Sequence, residues 1–142
     1  MKIGFTGTQE GMTPMQLLKV AQFIANNEIN EAHSGDCIGA DKEFHELITL
    51  ANKNKEFPLI RTFGHIPVYD SKRAFCKYHF QHVPKPYLER NHDIVDSCDY
   101  LIATPKEKEE QLRSGTWATI RYARKNNHAG IIIFPDGTSQ TI

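Results

Sequence analysis

The sequence predicts an α/β protein with a Rossmann-like, doubly wound, mostly parallel sheet of five strands and helices on both faces. Short apolar runs alternate with amphipathic helical patterns along the whole chain, which is the rhythm of successive βαβ units. Such units connect by right-handed crossovers, which favours this topology. A chain of 142 residues is long enough for one domain, which we place at residues 1–142.

The five predicted strands are short apolar runs, most of them ending close to a glycine or a proline. They are Lys2–Phe5, Asn30–Ser34, Pro58–Phe63, Asp99–Ala103 and Gly130–Phe134. A turn at Pro135–Gly137 follows the last of them, and the residues beyond it form either an edge strand or a tail.

Four helices fill the intervals, and the first has the clearest start. Thr13 and Gln16 form a capping box with Pro14 at the first helical position, so this helix should run to about Asn27. The other three are predicted at Ala40–Ala51, Pro86–Cys98 and Ser114–Asn126. Residues 64–86 form a long connection, with a short helix expected near Arg73–Phe80, and connections of that length are usually functional or mobile.

Composition is that of an ordinary globular protein. Seventeen basic and 17 acidic residues give a formal net charge of zero, so no global basic field points to nucleic acid or a membrane. The three cysteines form no CxxC pair, which favours a reduced compartment. No signal-peptide pattern is evident, and no apolar run approaches the roughly 18 residues that span a bilayer. We expect a soluble, cytoplasmic protein without a membrane partner.

The strongest functional signal lies at the start of the last helix. Arg113, Ser114, Gly115 and Thr116 follow the fourth strand across a short charged loop and open a helical pattern. The first N–H groups of a helix have no partner within it, and the helix dipole favours an anion there. Small residues at that turn leave these groups accessible, which predicts a phosphate, and hence a nucleotide, as the ligand.

Glycine and polar residues also follow the earlier strands, at the edge where doubly wound sheets bind ligands. Gly7 and Thr8 follow the first strand, while Ser34 and Gly35 end the second. Glycine permits close backbone approach, and hydroxyl groups can donate to phosphate oxygens. Asp41 either complements the dipole of the second helix or accepts hydrogen bonds from a ribose.

Metal and nucleic-acid sites are weaker interpretations. His33, Asp36 and Cys37 cluster in sequence, but nothing completes a tetrahedral site, so we expect no metal and no cofactor. Four further histidines have spacings that fit no ligand motif and are expected at the surface: His65, His79, His82 and His92. The segment from Lys72 to Arg90 mixes cations with aromatic rings, as single-stranded nucleic-acid binders do. Arg90 could instead clamp a phosphate bidentately.

Four motifs, by their order and spacing, resemble those of the SLOG superfamily: Ile3–Gly7, Ser34–Asp41, Arg90-Asn91 and Ser114–Thr116. This superfamily joins the DNA-processing protein of natural transformation (DprA/Smf) to the Lonely Guy cytokinin-activating hydrolases. The chain looks most like the small YspA-like proteins of bacteria and phages. The resemblance implies a Rossmann-type fold, a nucleotide-derived ligand and a homodimer or larger homo-oligomer. The residues expected to contact the ligand are Gly7, Thr8, Ser34, Gly35, Asp41, Arg90, Asn91, Arg113, Ser114, Gly115 and Thr116.

One departure from the hydrolase branch bears on activity. Those enzymes carry a Gly-Gly-x-Gly-Thr-x-x-Glu pattern whose glutamate takes part in cleaving the N-glycosidic bond, and aligning the Gly-Thr pair places Thr119 at that position. Threonine cannot ionise to act as a base or to stabilise a ribosyl cation. Hydrolysis would then need a carboxylate from another strand end: Asp36, Asp41 or Glu43.

Three functions therefore remain open. The first is binding of a phosphorylated nucleoside or nucleotide-derived molecule by a sensor, carrier or sequestering protein. The second is N-glycosidic hydrolysis of a nucleoside 5′-monophosphate, with Asp36 and Asp41 as the catalytic candidates. The third is an accessory role in recombination through single-stranded DNA, by resemblance to the DNA-processing branch; because the chain is neutral, nucleic acid is the lesser partner.

Overall fold

Seven strands form one sheet in the computed structural model, which describes residues 1–142. They are β1 (Lys2–Gly7), β2 (Glu31–Ser34), β3 (Arg61–Gly64), β4 (Phe80–Gln81), β5 (Tyr100–Thr104), β6 (Gly130–Ile133) and β7 (Ser139–Thr141). Their order across the sheet is β4-β3-β2-β1-β5-β6-β7, and every neighbouring pair is parallel except β6 with β7. The predicted mostly parallel α/β sheet is confirmed, but the number of five strands is wrong.

The two additional strands lie at the two edges of the sheet. β4 has only two residues, which is too short for an alternating pattern to be recognised in the sequence. β7 is the polar run Ser-Gln-Thr, which pairs antiparallel with β6 after the turn that follows β6. β4 forms by pairing with β3, and β7 forms by pairing with β6. Such pairing depends on the neighbouring strand, so the sequence of the edge strand itself shows little sign of it.

Four helices cover the two faces of the sheet: α1 (Pro14–Asn26), α2 (Ala40–Asn52), α3 (Tyr87–Asp96) and α4 (Gly115–Lys125). Helices α1 and α2 pack on one face, where Phe5 of β1 stacks on Phe44 of α2 with ring centroids 4.5 Å apart. Helices α3 and α4 pack on the other face, where Ile94 and Ala123 meet Leu101 of β5. The predicted helices on both faces are confirmed. None of the four helices has the length and apolar character needed to traverse a bilayer.

The capping box predicted for α1 is present. The Thr13 hydroxyl oxygen accepts from the backbone N–H of Gln16 at 3.2 Å, and the Gln16 side chain accepts from the backbone N–H of Thr13 at 3.0 Å. Gln16 is buried, and its amide nitrogen also donates to the carbonyls of Pro105 and Ile133, both at 2.9 Å. The first turn of α1 is therefore tied to the ends of β5 and β6.

Sheet order reverses between β1 and β5. The chain builds outward from β1 to β4, returns through α3, and continues on the other side with β5, β6 and β7. In doubly wound sheets this reversal leaves a crevice beyond the carboxyl ends of the two central strands. The ends of β1 and β5, and the loops that leave them, therefore define where a ligand is expected.

The short helix predicted near Arg73–Phe80 is wrong. A single 3-10 turn at Asp70–Lys72 precedes an irregular segment that leads into β4. The fully buried carboxylate of Asp36 organises this segment, because it accepts from Arg73 Nε at 2.9 Å, from the backbone N–H of Cys76 at 3.0 Å and from the Tyr78 hydroxyl at 3.1 Å. A tertiary contact replaces the local helix.

Removal of the Asp36 carboxylate should destabilise the folded protein. Asp36→Ala leaves the largely buried Arg73 guanidinium and two further donors without an acceptor, so the free energy of unfolding should fall by about 3 kcal/mol. Asp70→Ala is the matched control, because exposed Asp70 lies 3.8 Å from the same arginine and should cost less than about 1 kcal/mol. Urea denaturation measures both, and equal losses would contradict the assigned role.

Candidate functional site

The first turn of α4 presents two backbone N–H groups that no atom of the chain accepts from. Ser114 is the N-cap residue, and its hydroxyl oxygen accepts from the N–H of Trp117 at 3.2 Å. The N–H of Ala118 donates to the Ser114 carbonyl at 2.9 Å, which leaves the N–H groups of Gly115 and Thr116. Gly115 is exposed, and a Cβ built on it would meet nothing within 4 Å. This helix start is therefore open to an anion.

A cation stands beside these amides. Arg113 is exposed and forms no ion pair within the chain, and with Ser114 it lines an open depression of about 580 Å³. Two acidic residues also border the depression, but Glu110 is paired with Arg121 at 2.9 Å and Arg124 at 3.7 Å. Glu107 is the remaining opposing charge on this wall. Next to the open amides, Arg113 and Glu107 are therefore the two charged side chains that form no ion pair.

The last residue of β5, which the loop before α4 follows, has a buried hydroxyl group. Thr104 is fully buried, and its Oγ1 has no hydrogen-bond partner. The indole N–H of Trp117, in the first turn of α4, is also buried without an acceptor. Buried polar groups are almost always paired, so unpaired ones call for an explanation, such as a bound ligand or water. Both lie on the elements joined by the loop from Pro105 to Arg113.

Gly7 lies at the end of β1, where it touches both β5 and the start of α2. A Cβ at Gly7 would approach the Ala40 Cβ at 2.6 Å and Thr104 Oγ1 more closely still, so only glycine allows these elements to meet. The N–H of Thr8 donates to the Thr104 carbonyl at 3.2 Å, and the Thr8 carbonyl accepts from the N–H of Ala40 at 3.0 Å. The loop after β1 therefore caps the first amide of α2.

A second group of predicted residues surrounds Gly35 and forms an internal network. Arg90 is buried and donates from Nη1 to the carbonyls of Gly35 and His65, the latter at 3.1 Å. Its Nη2 donates to Cys37 Sγ at 3.6 Å, and its Nε donates to the Asn91 side-chain oxygen at 2.8 Å. All three guanidinium nitrogens bond within the chain. The geometry thus gives Arg90 and Asn91 the task of holding the Gly35 turn, whereas the sequence suggested a phosphate clamp.

Asp41 lies against the same turn. Its Oδ2 accepts from the N–H of Cys37 at 3.2 Å, and a Cβ at Gly35 would come within 3.0 Å of that oxygen. Burial raises the pKa of Asp41 from 3.8 to about 6, and the nearby Arg90 charge opposes this shift. Ser34, at the end of β2, is buried beside this network. Asp41 therefore carries a carboxyl group that titrates near neutral pH but has little access to solvent.

The candidate catalytic carboxylates are not directed at α4. Asp36 is fully buried and accepts three hydrogen bonds from the segment before β4. Glu43 accepts from the N–H of Met12 at 2.6 Å. Thr119 is buried, and its hydroxyl donates to the Gly115 carbonyl at 2.9 Å within the helix. None of these bonds brings an acidic side chain to the open amides.

The basic segment before α3 is largely neutralised. Arg73 pairs with Asp36, and Lys85 pairs with Asp93 at 2.6 Å. Arg90 is internal, so Lys72 and Lys77 remain as the cations of this stretch that form no ion pair in the chain. The continuous array of free cations expected for a strand of nucleic acid is not assembled here.

The expectation of solvated histidines is wrong for His65. It is 2% exposed, and it lies beside His33 and His82 on one face of the sheet. Their positions in the sequence follow no ligand spacing, because each comes from a different strand region. His65 and His82 lie two residues beyond the paired Phe63 and Phe80, and His33 lies on the neighbouring strand opposite Phe63. Strand register has to be known before that arrangement can be recognised.

Comparisons with known proteins identify a similar fold. No protein-family model matches the chain, and no curated protein matches it. Among solved structures, the chain is similar to the molybdenum cofactor binding protein from the phototrophic bacterium Rippkaea orientalis. The TM-score is 0.65 at 23% identity, covering 93% of this chain and 75% of that chain. The likeness supports the α/β fold, and the resemblance to the SLOG superfamily stays a prediction.

The raised pKa of Asp41 predicts a pH-dependent contribution to stability. Because the folded state holds this proton more tightly than the unfolded state, the contribution is complete below pH 3.8 and is lost as the pH rises through about 6. Asp41→Asn removes the titration, so relative to the parent protein the variant should gain on the order of 2 kcal/mol between pH 4 and pH 7. Urea denaturation at several pH values measures this difference, and a pH-independent difference would contradict it.

Proposed function

We propose that the protein binds a phosphorylated small molecule of the nucleotide type, with the phosphate at the first turn of α4. The observation that carries this proposal is the pair of N–H groups at Gly115 and Thr116 that have no acceptor in the chain, the first of them on an exposed glycine. Backbone donors and the helix dipole act on the same anion there. Arg113 supplies a cation, and Ser114 fixes the turn through its cap.

The position of this turn in the sheet supports a ligand larger than a free phosphate. α4 follows β5, and the sheet order reverses between β5 and β1, so a molecule bound at α4 can extend toward the ends of both strands. Gly7, Thr8 and the unpaired Thr104 hydroxyl lie at those ends. Because Thr104 is fully buried, the half-buried Gly7 and Thr8 are the groups that a nucleoside attached to the phosphate would meet in that direction. The structural neighbour is named for binding a cofactor, which agrees with a small-molecule ligand in this fold.

Binding without turnover is the form of this function that the side chains favour. Cleavage of an N-glycosidic bond needs a carboxyl group beside the ribose. Asp36 is committed to three hydrogen bonds, and Thr119 bonds to its own helix. We therefore propose a sensor, carrier or sequestering protein. Asp41, whose pKa of about 6 would suit a general acid or base, is the residue that keeps hydrolysis as the second candidate.

The direct test removes one backbone donor and leaves the helix intact. Proline is favoured at the first position of a helix and has no N–H, so Gly115→Pro should fold normally. The extended backbone of Ser114 (φ −81°, ψ 127°) suits a following proline. A charge-assisted hydrogen bond contributes about 1.5–3 kcal/mol, so affinity for a phosphate ligand should fall at least about tenfold.

Calorimetry with AMP, GMP, ADP, ADP-ribose and cyclic AMP supplies the measurement. The control is Gly115→Ala, which keeps the N–H group and adds a methyl group where nothing lies within 4 Å. Alanine should retain affinity unless the ligand contacts the Cα directly. Failure of the folded parent protein to bind any member of this panel would sink the proposal. Release of free base from a monophosphate, detected by chromatography and abolished by Asp41→Asn, would establish hydrolysis instead.

A further inference from the structure

Three histidine side chains meet on the face of the sheet that carries α3. His33 belongs to β2, His65 follows β3, and His82 follows β4. His33 Nδ1 lies 2.8 Å from His65 Nε2, and one ring nitrogen from each of the three histidines lies within 4.8 Å of the others. The three residues are separated by 32 and 17 positions in the chain. The cluster is distinct from the first turn of α4.

Parallel register explains why these side chains converge. His33 pairs with Phe63, and Phe63 pairs with Phe80, so the three rings stack with centroids 4.5 and 4.9 Å apart. His65 and His82 each come two residues after one of these phenylalanines and therefore emerge on the same face. Backbone bonds hold both in place, since His65 N–H donates to the Ser34 carbonyl at 2.8 Å and His82 N–H donates to the Gly64 carbonyl at 2.9 Å.

A carboxylate orients the first of these rings. Glu31 Oε1 lies 3.0 Å from His33 Nε2, so His33 donates through Nε2–H and keeps the lone pair on Nδ1. That lone pair faces His65 Nε2, whose proton completes the short contact between the two rings. Carboxylate support of the far ring nitrogen is the usual environment of a histidine that binds a metal. For a metal ion to bind between the two rings, the proton on His65 Nε2 must move to Nδ1 of the same ring, so that both facing nitrogens offer lone pairs.

We propose that His33, His65 and His82 form a binding site for a divalent transition-metal ion of the zinc class. His33 Nδ1, His65 Nε2 and one ring nitrogen of His82 supply three ligands, and water supplies the fourth. Three imidazoles without a directly ligating carboxylate favour zinc, copper or nickel over magnesium or calcium. The metal would tie β2 to the ends of β3 and β4, which secures a two-residue edge strand.

The geometry requires only small adjustments. Zinc–nitrogen bonds of 2.0–2.1 Å in a tetrahedron separate the ligand nitrogens by about 3.3 Å, so the contact between His33 and His65 would widen by roughly half an ångström. The His82 ring now stacks on the His65 ring with centroids 4.2 Å apart, and it must turn to direct a nitrogen at the metal. His82 is exposed and can make that turn.

The protonation state suits a metal ligand. Burial and the neighbouring charges of His82, His33 and Arg90 lower the pKa of His65 to about 3, and burial also lowers the pKa of His33. Both rings are therefore neutral at pH 7, so a metal displaces no bound proton from an imidazolium. Arg90 and Lys85 are nearby cations that act against a dication, and Glu31 is the compensating anion.

Zinc binding by the tag-free, chelator-treated protein tests this site. Calorimetry should give one equivalent of Zn²⁺, and Co²⁺ should develop the visible absorption bands of a tetrahedral site. The variant His82→Ala changes an exposed side chain, so it should fold normally and bind Zn²⁺ at least about tenfold more weakly. Glu31→Gln should weaken binding by about 10- to 100-fold through loss of the ring's support.

Matched controls separate this site from adventitious metal. His92→Ala removes a histidine that stacks on Tyr122 outside the cluster, and it should bind Zn²⁺ like the parent protein. Mg²⁺ should not bind. Because a ligand that binds only the folded state stabilises it, Zn²⁺ should also raise the Tm of the parent protein and of His92→Ala, and should raise that of His82→Ala by less at the same Zn²⁺ concentration. Absence of one-equivalent binding, or undiminished binding by His82→Ala, would overturn the proposal.

Discussion

Six parallel strands deliver their carboxyl ends to one edge of the sheet, and each polar cluster of this protein depends on that constraint. Gly7 and Thr104 meet because β1 and β5 are neighbours in register. The turn at Gly35 lies one strand away, where Arg90 bonds to its carbonyl. His65 and His82 follow the ends of β3 and β4 on a common face. Residues far apart in the chain therefore assemble without any local sequence motif that joins them.

The helices α2 and α4 follow strands in the same way but differ in how their first amides are used. The Thr8 carbonyl accepts from the N–H of Ala40, so the protein occupies the first amide of α2, whereas the N–H groups of Asp41 and Lys42 have no acceptor. At α4 the Ser114 hydroxyl accepts from Trp117 alone, and the amides of Gly115 and Thr116 stay unbonded. A bonded first amide contributes to stability, whereas a free one remains available to a ligand. The free first amide of exposed Gly115, with the unpaired Arg113 beside it, makes α4 the candidate site.

Local patterns predicted the elements whose signals are periodic or capped. The capping box of α1, the helical spacing of α2 and α4, and the apolar runs of β1, β5 and β6 all reflect burial of one face against the sheet. β4 was not predicted because two residues are too few to show an alternating pattern. The segment expected to form a helix near Arg73 is held by hydrogen bonds to Asp36 instead. In both places tertiary contacts decide the structure more than local propensity does.

The sequence predicted where several site residues lie better than it predicted what their side chains do. Gly7, Ser114 and Gly115 could be placed at strand or helix ends from sequence, because glycine and small polar residues mark those turns. The burial of Arg90 could not be predicted, because an arginine on an amphipathic helix is normally solvated. Its acceptors come from the segments that follow β2 and β3. The histidine cluster likewise required the pairing of β2, β3 and β4.

Amide chemical shifts measured during a titration with AMP test the central claim most directly. A ¹⁵N-labelled sample reports every backbone N–H group, and inorganic phosphate in a parallel titration reports the anion site alone. If the phosphate binds at α4, the resonances of Gly115 and Thr116 should shift most with both ligands, and those of Gly7 and Thr8 should shift with AMP. Shifts confined to the start of α2, or no saturable shift at Gly115 with either ligand, would contradict it.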